Sequence, residues 1–144
     1  PAKGKYDDLD TERFVKKHGI DFNFNSHFPI NTLNLMRGAI YAKENGFFKD
    51  YVKVIFKSMW VDNKKMDELD VIKTVLEENK LPAQSIFEGT QDQNIKSKLI
   101  ENTAKAVEDG LFGVPSFLID KELFFGKETL QDVEDLIKSK VARL

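Results

Sequence analysis

This chain has no cysteine, and that absence excludes more chemistry than any single residue present supplies. A disulfide framework, a thiolate metal site and CxxC redox chemistry within these residues all fall away. Histidine is nearly as scarce. Only His18 and His27 are present, too few for a histidine-rich metal cluster. No apolar run approaches the about 18 residues a membrane span requires, and no secretory leader pattern opens the chain. Neither charge sign dominates: 22 basic residues stand against 24 acidic ones, a formal net charge of −2. No global field therefore points to nucleic acid or a membrane surface as partner. The expectation is a soluble, cytoplasmic protein.

What is present is a chain of 144 residues with 41% apolar content, enough to bury roughly two-thirds of its unfolded surface in a packed core. Its start, Pro1-Ala2-Lys3-Gly4-Lys5-Tyr6, lacks an initiator methionine and reads as the interior of a longer protein. Helical signals then dominate. Asp7 to His18 carries Leu9, Phe14 and Val15 on one side, basic residues in its last turn and Gly19 as the stop. Ile20 to Pro29 is apolar without helical spacing and reads as an extended connection. Asn31 or Thr32 starts a helix to about Asn45, stopped by Gly46. The segment from Phe47 to about Trp60 is apolar around much of its circumference, which predicts burial among other helices. Asp67–Asn79, Leu81–Glu88 and Asp92–Glu108 follow with helical spacing.

After Gly110 the period changes. Gly113-Val114-Pro115 leads into Ser116-Phe117-Leu118-Ile119, a charged turn, Leu123-Phe124-Phe125 and Gly126. This is a strand–turn–strand pattern. Proline has no N–H and does not serve a central strand position, so Pro115 marks a strand start whose preceding backbone groups are left free. Leu130, Val133, Leu136 and Ile137 then recur at helical spacing in a last helix. Two strands alone are marginal in water, and no other segment reads as a good strand, so the sheet looks incomplete within this chain. The fold class is α+β, mostly helical.

Asn102-Thr103-Ala104 through Gly113-Val114-Pro115-Ser116-Phe117, with Phe124-Phe125-Gly126-x-Glu128-x-Leu130, resembles the closing half of the 2-hydroxychromene-2-carboxylate isomerases and kappa-class glutathione transferases. Pro1-x-Lys3-Gly4-x-Tyr6, Phe28-Pro29-Ile30-Asn31-Thr32 and Arg37-Gly38-Ala39 resemble their earlier loop and the opening of their helical domain. The resemblance covers essentially the whole chain in the family's order. It implies the C-terminal part of a thioredoxin-like fold with an inserted all-helical domain. Residues 1–30 would be connecting loop and helix of the thioredoxin-like part, 31–109 the inserted domain, and 110–144 the closing strand–turn–strand–helix. It implies that the proline after Val114 is cis. It also implies a homodimer, glutathione as cofactor, and a small unsaturated acid or electrophile as second substrate.

The same resemblance assigns residues. Val114 and Pro115 would dock the cysteinyl unit of glutathione by main-chain bonds, as in strand addition. Lys127 and Glu128 would face its γ-glutamyl end, where the family's pattern has a small hydroxyl residue in place of Lys127. Lys3 would approach the glycine carboxylate or an acidic substrate. Asn31 and Trp60 would line the second-substrate cleft. The serine that activates the glutathione sulfur has no match in these residues. Ser26, in Asp21-Phe22-Asn23-Phe24-Asn25-Ser26-His27-Phe28-Pro29, has only a superficial likeness and stands in the wrong order. The catalytic serine is therefore expected in a preceding segment, which would leave this chain a fragment and that missing piece its partner. The alternative reading is a DsbA-like thiol–disulfide oxidoreductase whose CxxC lies in that same segment. A non-enzymatic helical binding module is a third.

Overall fold

The computed structural model describes residues 2–142. Its elements are α1 (Ala2–His18), α2 (Leu33–Glu44), α3 (Phe48–Trp60), α4 (Leu69–Glu78), α5 (Ala83–Gln91), α6 (Gln93–Glu108), β1 (Ser116–Ile119), β2 (Glu122–Phe125) and α7 (Leu130–Val141). Two compact units, residues 1–96 and 97–144, divide within α6.

In the first unit the core is built on α2 through α5. Helical spacing places Leu35, Gly38 and Ala42 on the buried face of α2, and Tyr51, Ile55 and Met59 on that of α3. α2 packs on both α3 and α5. Ile72, Val75 and Leu76 from α4, Ala83 and Ile86 from α5, and the loop residue Met66 complete one apolar cluster. The closest approach is at Gly38. A Cβ there would lie 2.3 Å from the Tyr51 hydroxyl, which donates to the Leu35 carbonyl at 2.9 Å. Burial pushes the Tyr51 phenol far above its ordinary value, because the low-dielectric interior disfavours the phenolate. Glycine is required here for space.

Two details depart from the sequence reading. α1 begins at Ala2, so Lys3 lies on a helix and not in a loop; one glycine at position 4 costs a helix only about 1 kcal/mol. α3 is not buried around its circumference either. Phe56 is 62% exposed and Phe48 is also exposed, since its neighbours cover one face only. The stops at Gly19, Gly46 and Gly110 stand as read, each at positive φ.

In the second unit β1 and β2 pair antiparallel, Ser116 opposite Phe125 and Ile119 opposite Glu122. Asp120 and Lys121, both at positive φ, close the two-residue turn with the twist a hairpin favours. The sheet has two strands, and none of the described residues 97–142 is fully buried.

Gly38→Ala is expected to destabilise the first unit by about 1–3 kcal/mol in urea unfolding, despite alanine's better helix propensity. The loss should shrink in a Tyr51→Phe background, which removes the clashing oxygen. Equal losses in both backgrounds would refute the contact.

Candidate functional site

The residues expected at the site fall in both units, and each group is described within its own unit. In the second, the chain leaving α6 through Gly110 runs past Phe112 and Gly113 to Val114 and Pro115. A Cβ on Gly113 would sit 2.9 Å from the Phe125 ring, and Phe112 and Phe125 have centroids 4.6 Å apart. Ser116 Oγ donates to the Gly113 carbonyl at 2.6 Å. The approach to β1 is thus pinned on both sides of Val114. The Val114–Pro115 peptide is cis, as the resemblance implied.

Val114 is 90% exposed. Its N–H and carbonyl take no hydrogen-bond partner among the described residues. The next carbonyl, that of Pro115, accepts from Gly126 N at 3.0 Å, so the hairpin ladder stops one residue short of Val114. That same bond fixes the start of the turn Lys127–Thr129 beside Pro115. Thr129 Oγ1 caps it by donating to the Gly126 carbonyl at 2.9 Å. Lys127 and Glu128 form an ion pair at the turn, the lysine half-buried and the carboxylate exposed. The structure therefore brings Val114, Pro115, Lys127 and Glu128 to one end of the hairpin: a length of free backbone beside one cation and one anion.

The remaining expected residues belong to the first unit. Lys3 is exposed on α1. Asn31 accepts from Leu33 N at 3.0 Å and so shapes the start of α2. Trp60 lines a cleft of about 760 Å³ with Phe22, Phe24 and Phe56, and Asn31 is not part of that lining. Ser26 is tied to Asn63. Its N–H donates to Asn63 Oδ1 at 2.8 Å, and its hydroxyl lies 3.2 and 3.1 Å from the two amide atoms.

Sequence reasoning passed over Asn25. This fully buried residue donates through Nδ2 to the carbonyls of Met59 and Lys64, both at 2.8 Å. Its Oδ1 accepts from His27 N at 2.8 Å. Asn23 N adds a bond to the Trp60 carbonyl at 2.6 Å. Residues 22–28 are thereby fastened to the end of α3, and Phe22 stacks on Trp60 with centroids 5.9 Å apart. The one available signal was asparagine's fitness for satisfying loop backbone.

Among the described residues no group of three or more His, Cys, Asp or Glu side chains could hold a metal ion. No described helix is long and apolar enough to cross a membrane.

Comparison with known proteins decides the family: residues 1–138 match the DSBA-like thioredoxin domain. The chain belongs to the DSBA-like thioredoxin domain family. This DsbA-like chain is 25% identical over 130 residues to a 2-hydroxychromene-2-carboxylate isomerase of Pseudomonas putida, covering 90% of the chain and 63% of the relative. It is 22% identical over 131 residues to a second, from Sphingobium xenophagum, covering 89% and 65%. The chain thus spans less than two-thirds of the length of either relative. A solved 2-hydroxychromene-2-carboxylate isomerase structure superposes with a TM-score of 0.87 at 21% identity, over 99% of the DsbA-like chain and 69% of that structure. The thioredoxin-like fold expected from the sequence is the fold found.

Asn25→Ala should cost about 3 kcal/mol, because it strands buried backbone partners. Trp60 emission should shift to the red as the ring loses its aromatic cover. An unchanged emission maximum would show that the loop holds without the amide.

Proposed function

We propose that this chain carries the glutathione-docking part of a glutathione-dependent isomerase or transferase of the 2-hydroxychromene-2-carboxylate isomerase type. The observation that carries the reading is the unpartnered backbone of Val114, immediately before the cis Pro115 and beside the Lys127–Glu128 pair. An extended tripeptide offers one N–H and one carbonyl per residue, the complement of a strand end whose ladder has stopped. The γ-glutamyl end of glutathione carries an α-ammonium and an α-carboxylate. A lysine and a glutamate already paired at the turn match both, Glu128 receiving the ammonium and Lys127 the carboxylate. Lys3 is proposed to approach the glycine carboxylate or an acidic substrate.

The reaction in this reading is addition and elimination. The glutathione thiolate adds to an unsaturated acid and the π pair moves onto the conjugated carbonyl as an enolate; the former double bond rotates, and the enolate pair re-forms it as the thiolate departs with the C–S pair. Such a nucleophile needs its thiol proton removed and its anion held. The only serine at the hairpin end is Ser116, whose hydroxyl donates to the Gly113 carbonyl. We therefore place the activating serine in the part of the relatives' length that this chain does not match. Val114 and Pro115 would hold the cysteinyl unit against it.

The DsbA-like match also favours a second reading, thiol–disulfide exchange, since a proline-led strand of this kind would serve any extended thiol peptide. That chemistry needs a redox-active cysteine pair, and these residues contain no cysteine. The two readings differ in ligand. The first requires the γ-glutamyl zwitterion; the second requires only backbone.

Titration calorimetry of the 144-residue chain with glutathione should give binding, which Glu128→Gln weakens about tenfold. A peptide with an ordinary α-linked glutamate should bind less well than glutathione. Equal binding of the two peptides would favour the exchange reading, and absence of glutathione binding would sink the first.

A further inference from the structure

The cleft in the first unit has walls and a rim of different character. Phe22, Phe24, Phe56 and Trp60 supply four aromatic walls. The volume of about 760 Å³ lies within the range of small-molecule sites, roughly 300–1,000 Å³. The walls are held open and in place, not collapsed. Asn25 fastens the loop bearing Phe22 and Phe24 to the end of α3, and Phe24 and Phe28 each tilt against Trp60 at 6.2 and 5.8 Å. Phe56 stays 62% exposed, an apolar side chain kept on the lining.

The rim is acidic. Asp8 and Glu12 stand one turn apart on α1, and Asp21 stands on the facing loop. None of the three is in an ion pair among the described residues. Like charges one helical turn apart cost a helix a few tenths of a kcal/mol, so α1 gains nothing by presenting them together. The one basic residue of the lining, Lys57, is committed elsewhere: its Nζ lies 2.7 and 2.8 Å from the two carboxylate oxygens of Asp62.

We propose that this cleft is a binding site for an organic cation with a flat apolar body. The body would lie between the rings, its ammonium attracted both by the ring faces and by Asp8, Glu12 and Asp21. The same carboxylates disfavour an anion. The cleft is therefore separate in chemistry from any site for the unsaturated acid of the reaction proposed above, and the proposal does not rest on that reaction.

Trp60 is the chain's only tryptophan, so its emission reports this cleft without interference. The test is a titration of the 144-residue chain with biphenylmethylamine, biphenylmethanol and biphenylcarboxylate, three probes alike in shape and different in charge. The amine should quench Trp60 and bind about tenfold more tightly than the alcohol, with the carboxylate weakest. Added salt should narrow the gap. In Asp8→Asn/Glu12→Gln/Asp21→Asn, with helical circular dichroism unchanged, the amine's advantage over the alcohol should shrink to the part the ring faces supply, while the alcohol keeps its original affinity. Phe56→Ala should weaken both. Equal affinities of the three probes for the unaltered chain, or an amine preference undiminished by neutralisation of the carboxylates, would overturn the proposal. So would a failure of the amine to bind at all.

Discussion

One buried amide holds the aromatic cleft of the first unit together. Asn25 is fully buried; its amide donates to two backbone carbonyls and accepts from one backbone N–H. An unmade hydrogen bond in such a place is expensive, and a fully satisfied one specifies a single geometry. That geometry decides where Phe22, Phe24 and Phe28 stand relative to Trp60. The apolar core beneath, with Tyr51 set against Gly38, fixes the end of α3 to which the loop is tied. Core packing sets the position, and the amide transmits it to the surface.

Much of the fold is legible in the residues. Helical spacing located the helices to within a few positions, glycine stops included, and Pro115 marked the start of β1. The failures share a cause. The segment from Phe47 to about Trp60 reads as apolar around much of its circumference, and so as buried among helices, because hydrophobicity says what a side chain tolerates, not which face a neighbour covers. The start of α1, Ala2 to Tyr6, was missed because the Pro-x-Lys-Gly-x-Tyr pattern resembles the family's loop, while a helix absorbs a single glycine. Asn25 gave no periodic signal, because its role depends on two carbonyls more than thirty residues away in sequence.

The candidate site was legible in a different way. Proline's missing donor argued, from chemistry alone, for free backbone before β1, and Val114 has it. The choice of Lys127 and Glu128 came from resemblance, since an acid near a helix start has an ordinary electrostatic explanation. What the sequence could not contain is their adjacency to Pro115. That follows from the hairpin register and the Gly126 bond that closes it.

That none of the described residues of the second unit is fully buried has a consequence for the proposed docking end of the hairpin. Elements with few buried apolar contacts open at low free energy, and the strand end at Val114 is carried on such elements. Anything that binds there stabilises the unit in proportion to the logarithm of its concentration. Occupancy and local order then become one measurable quantity. Amide exchange in β1 and β2 would register a ligand even where no chemistry follows.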